Sequence, residues 1–231
     1  MASFSRLNLS FVSSPYSART KSNNNYVTIR CGPRDNRGPI VRGRILSTEA
    51  IQAVQALKRA QRGDETKIDE LVSKTLARLI KNDLIASLNE LLRQDQSQLA
   101  LKVFSAVRSE IWYKTDCSLY AEMVMMLARN GMLEEIDRLI SEMDGDGFDS
   151  GDDRGLARLI KALIAAKRTE STIRVYGLMK KCGWGSKIKA DEYVVQVLSR
   201  GLRRLGEKSV SDEVDTEFVK FCGGNFEKLS V

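Results

Sequence analysis

The sequence predicts an all-α protein built as an α-solenoid, a stack of helix-turn-helix units. The first observation is helical periodicity, because apolar residues between 117 and 130 follow the i, i+3, i+4 spacing of a helix with one buried side. Those residues are Leu119, Tyr120, Met123, Val124, Leu127 and Ala128. The second is repetition, because apolar residues recur 36 positions apart at Val103, Leu139 and Val175, and again at Phe104, Ile140 and Tyr176. A lone helical hairpin cannot bury its apolar side, so repeated hairpins must stack on each other.

The clearest unit spans residues 117–152. Its first helix is predicted to end at Gly131, because glycine accepts the left-handed conformation that a helix C-terminus needs. Its second helix runs from about 133 to 143 and ends before the run Asp144-Gly145-Asp146-Gly147. The pattern therefore predicts two amphipathic helices joined by a short turn.

The other helices follow the same plan along the chain. The predicted pairs are 48–62 with 66–80, 82–93 with 98–107, 155–167 with 171–180, and 191–205 with 212–221. Asp95 occupies the place that Gly131 takes one unit later, and Gly206 marks the turn of the last pair. These pairs define a degenerate first repeat or N-terminal cap at 48–81, repeats at 82–116, 117–152, 153–191 and 192–222, and a tail at 223–231.

The first 31 residues have the composition of a transit peptide. They are rich in serine, contain no acidic residue, and carry Arg6, Arg19, Lys21 and Arg30. They lack the compact apolar segment of a secretory signal, so an organellar address is favoured over a disordered basic tail. Ile29-Arg30-Cys31 resembles a chloroplast processing site. We expect the chloroplast stroma ahead of the mitochondrion, with residues 32–47 as a basic linker.

Charge is distributed unevenly along the chain. The net charge is +5 over residues 32–62, −9 over 63–153, +10 over 154–208 and −3 over 209–231. The overall value of +7 therefore hides a strongly basic third quarter. Clustered lysines and arginines favour phosphate polymers, and they bind them with an affinity that falls as salt rises.

Two neighbouring helices each carry a basic stripe. On the helix after Asp152, the stripe contains Arg154, Arg158, Lys161 and Arg168, provided that the helix extends that far. On the helix after Asp191, it contains Tyr193, Gln196, Arg200 and Arg203, with Arg204 beside them. Such stripes can pair with phosphates, while arginine and tyrosine planes can stack on bases. Ordinary solvated helix surface is the alternative interpretation.

The residues of the clearest unit resemble a pentatricopeptide repeat (PPR). The likeness lies in Tyr120, in Gly131-Met132-Leu133-Glu134-Glu135, and in Leu139, Glu142, Met143 and Gly147. Lys114-Thr115-Asp116 and Lys189-Ala190-Asp191 resemble the Lys-Pro-Asp ending of the repeat, with proline replaced. The layout is similar to that of short plant organellar PPR proteins of the Thylakoid Assembly 8 type, through Trp112-Tyr113-Lys114, Cys182-Gly183-Trp184-Gly185 and Asp191-Glu192-Tyr193-Val194-Val195. The resemblance covers about residues 48–221 and implies a right-handed solenoid.

The resemblance also implies which positions face a bound base. In the family, the fifth residue of the first helix and the last residue of the repeat read one base. Carried over, these pairs are Ile85 with Asp116, Ala121 with Asp152 and Ala157 with Asp191, and Gln196 has no clear partner. Isoleucine and alanine offer no donor or acceptor to a base edge. We therefore expect low intrinsic sequence specificity.

The function that the resemblance implies is RNA binding in an organelle. The expected partners are single-stranded or structured RNA, in particular group II introns during splicing, together with other splicing factors. Self-association through an exposed terminal repeat is left open. The alternative from a different class is a tetratricopeptide-type scaffold or assembly factor that binds proteins without touching RNA.

The sequence lacks the residues that several kinds of catalysis and metal binding require. Histidine is absent, which excludes Ser-His-Asp and Cys-His catalysis and histidine-bound metals. The phosphate-binding motifs GxxxxGK[ST] and GxGxxG do not occur. Counted from Asp144, the glycine position of a calcium loop falls on Asp149, so calcium binding is not indicated. We therefore expect a protein that is not an enzyme and needs no cofactor or metal.

Cysteine usage and hydropathy exclude two further classes. Cysteines occur singly at 31, 117, 182 and 222, without any CxxC pair, so neither a disulfide framework nor a zinc cluster is predicted. No stretch approaches 18 uninterrupted apolar residues, so no membrane span is expected.

Overall fold

The computed structural model describes residues 46–63, 68–143, 152–184 and 191–222. Within these ranges the chain forms ten helices and no β-sheet. They are α1 (Thr48–Arg62), α2 (Ile68–Leu76), α3 (Lys81–Arg93), α4 (Ser97–Arg108), α5 (Cys117–Arg129), α6 (Leu133–Ser141), α7 (Asp153–Ala165), α8 (Thr169–Lys181), α9 (Glu192–Leu205) and α10 (Lys208–Cys222). The prediction of an all-α fold of paired helices is confirmed.

The helices stack in two layers. The odd-numbered helices form one layer, in which α1 packs on α3, α5 packs along α7, and α7 packs along α9. The even-numbered helices form the other layer, in which α2 packs on α4 and α6 on α8. Each hairpin also packs on itself, most extensively α9 on α10. The arrangement is the α-solenoid that the 36-residue apolar repeat predicts.

The first helix of each hairpin from α3 to α9 ends in the same turn. A left-handed residue follows each helix, with φ of 50° at Asp95, 71° at Gly131, 56° at Lys167 and 95° at Gly206. The next amide N–H donates to the carbonyl five residues earlier, as Met132 does to Leu127 at 3.0 Å. This is the Schellman motif, which satisfies carbonyls that the helix end would leave free. The predicted role of Gly131 is confirmed.

Three first helices begin with an aspartate cap. The carboxylates of Asp116, Asp152 and Asp191 each accept a hydrogen bond from the amide three residues later, at 3.0, 2.9 and 3.1 Å. An N-cap of this kind satisfies an amide that has no partner within the helix. These aspartates therefore fix where α5, α7 and α9 start.

A continuous apolar core runs between the layers. Its largest fully buried side chains include Tyr120 and Phe104, whose rings meet edge to face with centroids 5.1 Å apart. Other residues of the core come from all five hairpins, among them Leu57, Leu88, Ile140, Leu163 and Phe218. Ion pairs also connect neighbouring hairpins, as between Arg108 and Glu142 at 2.8 Å. Each hairpin thus depends on its neighbours for burial.

Some predicted boundaries differ from the observed helices. Helix α7 was expected over 155–167 but spans Asp153–Ala165, because Asp152 caps it early and Lys167 turns left-handed. Helix α10 begins at Lys208 rather than at residue 212. The predicted transit peptide, most of the 32–47 linker, the acidic run between 144 and 151, and the 223–231 tail lie outside the described residues. None of the helices described here is long and apolar enough to cross a membrane.

Candidate nucleic-acid interface

Helix α7 presents a basic side to solvent. Arg154, Arg158 and Lys161 are exposed, and Ala165 continues the same side one turn later. The opposite side is buried, through Leu156, Leu159, Ile160 and Leu163. The structure therefore places three of the predicted basic residues together on the exposed side of α7.

Helix α9 presents the second basic surface. Arg200 and Arg204 are exposed, and Tyr193 has 51% of its surface accessible. Its buried side consists of Val194, Val195, Leu198 and Leu202. Because α9 packs along α7, Lys161 and Ala165 of α7 line a common depression with Tyr193, Arg200 and Arg204 of α9.

We call this depression the α7–α9 groove; its volume is about 400 Å³. Its lining consists of Lys161, Ile164, Ala165, Tyr193, Gln196, Val197, Arg200, Gly201 and Arg204. The helices approach closely at Gly201, where an added Cβ would lie 1.9 Å from Cδ1 of Ile164. Glycine at this position therefore lets α7 and α9 pack closely. The apolar lining residues Ile164, Ala165 and Val197 are called the floor of the groove.

Three arginines of α7 and α9 have no ion-pair partner among the residues that the structure describes. Within the described ranges, Arg154, Arg200 and Arg204 form no ion pair. The Lys161 ammonium lies 4.8 Å from the ring centroid of Tyr193 and donates a hydrogen bond to its hydroxyl. Gln196 donates to the carboxylate of Glu192 at 3.0 Å. The groove thus holds two arginines without an ion pair among the described residues and one lysine bonded to the hydroxyl of Tyr193.

Arg203 does not belong to this surface, contrary to the predicted stripe. Its guanidinium lies 2.6 Å from the carboxylate of Asp215 and 3.5 Å from that of Asp212, both on α10. Arg204, one residue later, lines the groove in its place. The correction has a simple cause, since successive residues of a helix point about 100° apart and α10 covers the side that Arg203 faces.

Arg168 is the second correction. Because α7 ends at Ala165, Arg168 lies beyond the left-handed turn and takes the N-cap position of α8. Its Nε donates to Asp137 of α6 at 3.0 Å, and Ser171 donates to the same carboxylate at 2.6 Å. Arg168 therefore connects the second-layer helices α6 and α8 and does not extend the α7 stripe.

Arg158 is exposed on α7, like Arg154, but it has an ion-pair partner, like Arg203 and Arg168. Its guanidinium is 3.4 Å from the carboxylate of Glu122 on α5, and both side chains are about half exposed. An exposed pair at this distance is weak and screened by salt. Arg158 therefore lies on the basic surface with part of its charge offset.

The base-reading positions that the resemblance implies differ in exposure, and of these only Gln196 lines the α7–α9 groove among the residues that the structure describes. Ala121 and Ala157 are buried, at 0% and 2% exposure, and Ile85 is half-buried against the core. Their partners Asp116, Asp152 and Asp191 are occupied as helix caps. Each cap uses one oxygen of its carboxylate, and the alanine and isoleucine side chains carry no donor or acceptor. Weak discrimination between bases stays a prediction.

Sequence reasoning missed the floor of the groove. Ile164, Ala165 and Val197 were treated as ordinary helix residues, and Gly201 was not singled out. The signal that could have found them is Gly201 itself, because a glycine inside a helix is unfavourable and indicates close packing. Which helix packs against it cannot be derived from spacing.

The described residues show no grouping suited to a metal. No set of three acidic or cysteine side chains is close enough to hold an ion in the ranges that the structure describes. Burial raises the pKa of the Cys117 thiol to about 12, so this cysteine stays protonated and unreactive at neutral pH. The exposed side chains of α7 and α9 thus supply fixed cations and one half-exposed aromatic ring, Tyr193.

Comparison with known proteins defines the class. No family model matches the chain. It is 54% identical over 190 residues to Protein THYLAKOID ASSEMBLY 8, chloroplastic, of Arabidopsis thaliana, which covers 82% of this chain and 84% of that protein. It is 31% identical over 136 residues to a pentatricopeptide repeat-containing protein of Arabidopsis thaliana, over 59% of this chain and 68% of the relative. Its structure matches the crystal structure of THA8 in complex with Zm4 RNA with a TM-score of 0.63 and 32% identity, over 80% of this chain and 100% of that chain.

The stacked helix pairs and the relatives together define a helical-repeat protein, and the chain belongs to the pentatricopeptide-repeat family. Within that family it is of the Thylakoid Assembly 8 type, as identity over most of both chains shows.

Proposed function

We propose that this protein binds RNA in chloroplasts and promotes the splicing of group II introns. The RNA lies along the exposed sides of α7 and α9, where its phosphates meet Arg154, Arg200 and Arg204. The observation that carries the proposal is the absence of ion pairs at these three arginines within the described residues. An arginine without an ion pair can bind a phosphate without first breaking a contact to a carboxylate.

The relatives support the ligand and the compartment. THA8 was crystallised in complex with Zm4 RNA, and the Arabidopsis relative carries the designation chloroplastic. The acid-poor first 31 residues have the composition of a transit peptide, which agrees with that address. Within the chloroplast, the stroma is the compartment in which the protein would bind intron RNA.

The mechanism is binding, with no chemical step assigned to the protein. By holding unpaired intron segments, the protein prevents wrong pairings and favours the active intron fold. The free energy of RNA binding supplies the effect. Since the fifth positions Ile85, Ala121 and Ala157 carry no donor or acceptor for a base, other splicing factors or RNA shape select the intron.

The first test measures salt-dependent binding with the groove arginines removed. The mature protein and the double variant Arg200→Ala/Arg204→Ala are titrated with a single-stranded RNA between 50 and 300 mM salt. We expect the variant to bind at least about tenfold more weakly at low salt. We also expect the slope of log affinity against log salt to fall by about 1.4, since each single-strand phosphate contact contributes about 0.7.

A matched control removes the same charge elsewhere. Arg129→Ala/Arg138→Ala deletes two arginines that are each 63% exposed and ion-paired, and neither lines the groove. RNA affinity should change less than about threefold. Equal losses in both variants, or binding by the wild type that does not respond to salt, would contradict the proposal and favour a protein-binding scaffold.

The second test addresses splicing. RNAs that co-purify with the protein from chloroplasts are sequenced, and spliced and unspliced transcripts are quantified in plants that lack it. We expect group II intron sequences among the bound RNAs and unspliced precursors of the same transcripts to accumulate. Normal splicing of every bound intron would separate RNA binding from the proposed role.

A further inference from the structure

Two of the links between hairpins expose a large apolar side chain. Ile80, in the link between α2 and α3, has 67% of its surface accessible, and Ile111, in the link between α4 and α5, is fully exposed. In the described ranges, the other large apolar residues that are exposed have between 38% and 51% of their surface accessible. A single exposed apolar residue is normal, so the question is whether these two belong to one surface.

A contact between the two links places them side by side. The Lys81 ammonium lies 4.9 Å from the centroid of the Trp112 ring. Ile80 and Ile111 directly precede these two residues, so the Cα atom of each lies about 3.8 Å from that of a partner in the contact. Trp112 is half-buried and meets Tyr113 edge to face, with centroids 6.3 Å apart. We call Ile80, Ile111 and Trp112 the link patch.

The link patch is separate from the basic surface of α7 and α9. It is formed by the links that join the first hairpin to the second and the second to the third, whereas the α7–α9 groove is lined only by residues of α7 and α9. The neighbours of α3, which begins at this patch, are α1, α4 and α5. A molecule that covers the link patch therefore leaves the groove open.

The charge around the link patch favours a protein over RNA or an anionic lipid surface. Residues 77–83 and 109–116 carry net charges of +1 and −1, so the two links together are neutral. RNA and anionic lipid attract segments with an excess of cations. Isoleucine also offers no flat ring on which a base can stack. A protein interface, by contrast, surrounds an apolar centre with a polar rim, and tryptophan is among its strongest anchors.

We propose that the link patch binds another protein, through a segment that carries apolar side chains beside a carboxylate. The apolar side chains cover Ile80 and Ile111. The carboxylate meets the Lys81 ammonium, which forms no ion pair with a residue that the structure describes. This surface is distinct from the one proposed to bind RNA, so the inference goes beyond RNA binding and does not depend on it.

Site-specific photo-crosslinking identifies the partner and the segment in contact. The mature protein carries p-benzoylphenylalanine in place of Ile111 or, as the control, in place of Gln98, which is exposed at the other end of α4, roughly 15 Å along the helix. Both forms are irradiated in ribonuclease-treated chloroplast extract, and the crosslinked peptides are sequenced. We expect position 111 alone to crosslink to another protein, at a segment with apolar residues next to aspartate or glutamate.

The crosslinked segment is then made as a synthetic peptide and titrated against variants. Ile80→Ser and Ile111→Ser should each weaken peptide binding by about tenfold, as expected when an apolar anchor at the centre of an interface is lost. Leu133→Ser is the matched control, because Leu133 is 38% exposed at the start of α6, outside the link patch, and its loss should change affinity less than about twofold.

A double-mutant cycle tests the carboxylate. Lys81→Ala and a peptide with its carboxylates replaced by amides should each weaken binding by about threefold to tenfold. The two changes combined should weaken it no further than either alone, because each removes the same contact. Fully additive losses would contradict the proposed pairing.

Four results would overturn the inference. Crosslinking at position 111 that is absent or no stronger than at position 98 means that the link patch is not covered. Crosslinks to a second copy of this chain identify self-association instead. Unchanged peptide affinity in both serine variants places the partner elsewhere. Binding of the wild type, but not of Ile111→Ser, to vesicles of phosphatidylglycerol and phosphatidylcholine identifies a lipid surface.

RNA titrations keep this inference apart from the proposed function. Ile80→Ser and Ile111→Ser should bind a single-stranded RNA as tightly as the wild type, with the same salt dependence. Loss of RNA binding in both variants would make the link patch part of the RNA surface and overturn the inference. Failure of the wild type to bind RNA would refute the proposed function and leave the protein-binding patch standing.

Discussion

At the scale of single residues, two of the turns that follow the first helices place a non-glycine residue in the strained left-handed conformation. Asp95 and Lys167 hold the left-handed conformation that Gly131 and Gly206 hold without cost. Asp95 has a compensating contact, because its carboxylate pairs with Arg129 at 2.8 Å. Lys167 has no ion pair or hydrogen bond from its side chain to any residue that the structure describes. It is therefore the turn residue at which relief of strain should be measurable.

We predict that Lys167→Gly raises the free energy of unfolding by about 0.5–1 kcal/mol. The left-handed conformation costs an L-residue about 1–2 kcal/mol, and part of that gain is lost to the greater freedom of glycine in the unfolded chain. Lys181→Gly is the control, because Lys181 is also exposed but ends α8 in helical conformation, where glycine destabilises by up to about 1 kcal/mol. Urea titrations followed by circular dichroism distinguish the two. A decrease for Lys167→Gly would contradict the prediction.

At the scale of elements, the α5–α7 and α7–α9 junctions differ in charge. Across α5 and α7, Arg158 meets Glu122, so a cation on the exposed side is partly offset. Across α7 and α9, Lys161 meets Tyr193, and Arg200 and Arg204 stay unpaired among the described residues. Arg200 and Arg204 therefore lie where α9 meets α7, while the cation where α7 meets α5, Arg158, has Glu122 as its partner.

We predict that Glu122→Gln strengthens RNA binding by about two- to fivefold at low salt. The substitution removes a like charge from the path of the phosphates and frees Arg158, so the salt slope should increase by about 0.7. Both quantities come from the same titration used for the arginine variants.

Glu142→Gln is the control for this experiment. Glu142 is also about half exposed and pairs with Arg108 of the neighbouring hairpin at 2.8 Å, but it lies at the end of α6 in the other layer. Its loss should leave RNA affinity and the salt slope within error of the wild type. The same gain in both variants would show that only net charge matters.

At the scale of the whole molecule, the described hairpins share one core. Tyr120 of α5 packs edge to face on Phe104 of α4, which joins the second hairpin to the third. Neither ring has more than 1% of its surface exposed. Repeat proteins derive much of their stability from such interfaces between neighbours, so a cavity here weakens both sides of the stack.

We predict that Tyr120→Ala lowers the free energy of unfolding by about 3–5 kcal/mol, as expected for truncation of a fully buried aromatic ring. Tyr193→Ala is the control, because the same truncation at a half-exposed ring should cost no more than about 0.5 kcal/mol. Thermal unfolding followed by circular dichroism measures both. A loss below about 1 kcal/mol for Tyr120→Ala would mean that the hairpins are less dependent on each other than their packing indicates.

The sequence by itself determined the repeat and most of the turns, and it predicted the class of ligand. The 36-residue apolar spacing and Gly131 predict stacked hairpins because helix periodicity and left-handed glycines are local properties. The excess of +10 over residues 154–208 predicts a phosphate-binding region, since charge is fixed by residue type. The stripe of Arg154, Arg158 and Lys161 also follows directly from helical spacing.

Only the tertiary structure decided which cations remain available. Arg203 and Arg204 are adjacent and equally basic in sequence, yet α10 supplies Asp215 to the first and leaves the second in the groove. Arg168 is joined to Asp137, 31 residues earlier, because α6 and α8 are neighbours in the second layer. The groove itself exists because Gly201 lets α9 approach Ile164. Ion pairs and cavities depend on which helices meet, and that is set by packing of the whole chain rather than by local spacing.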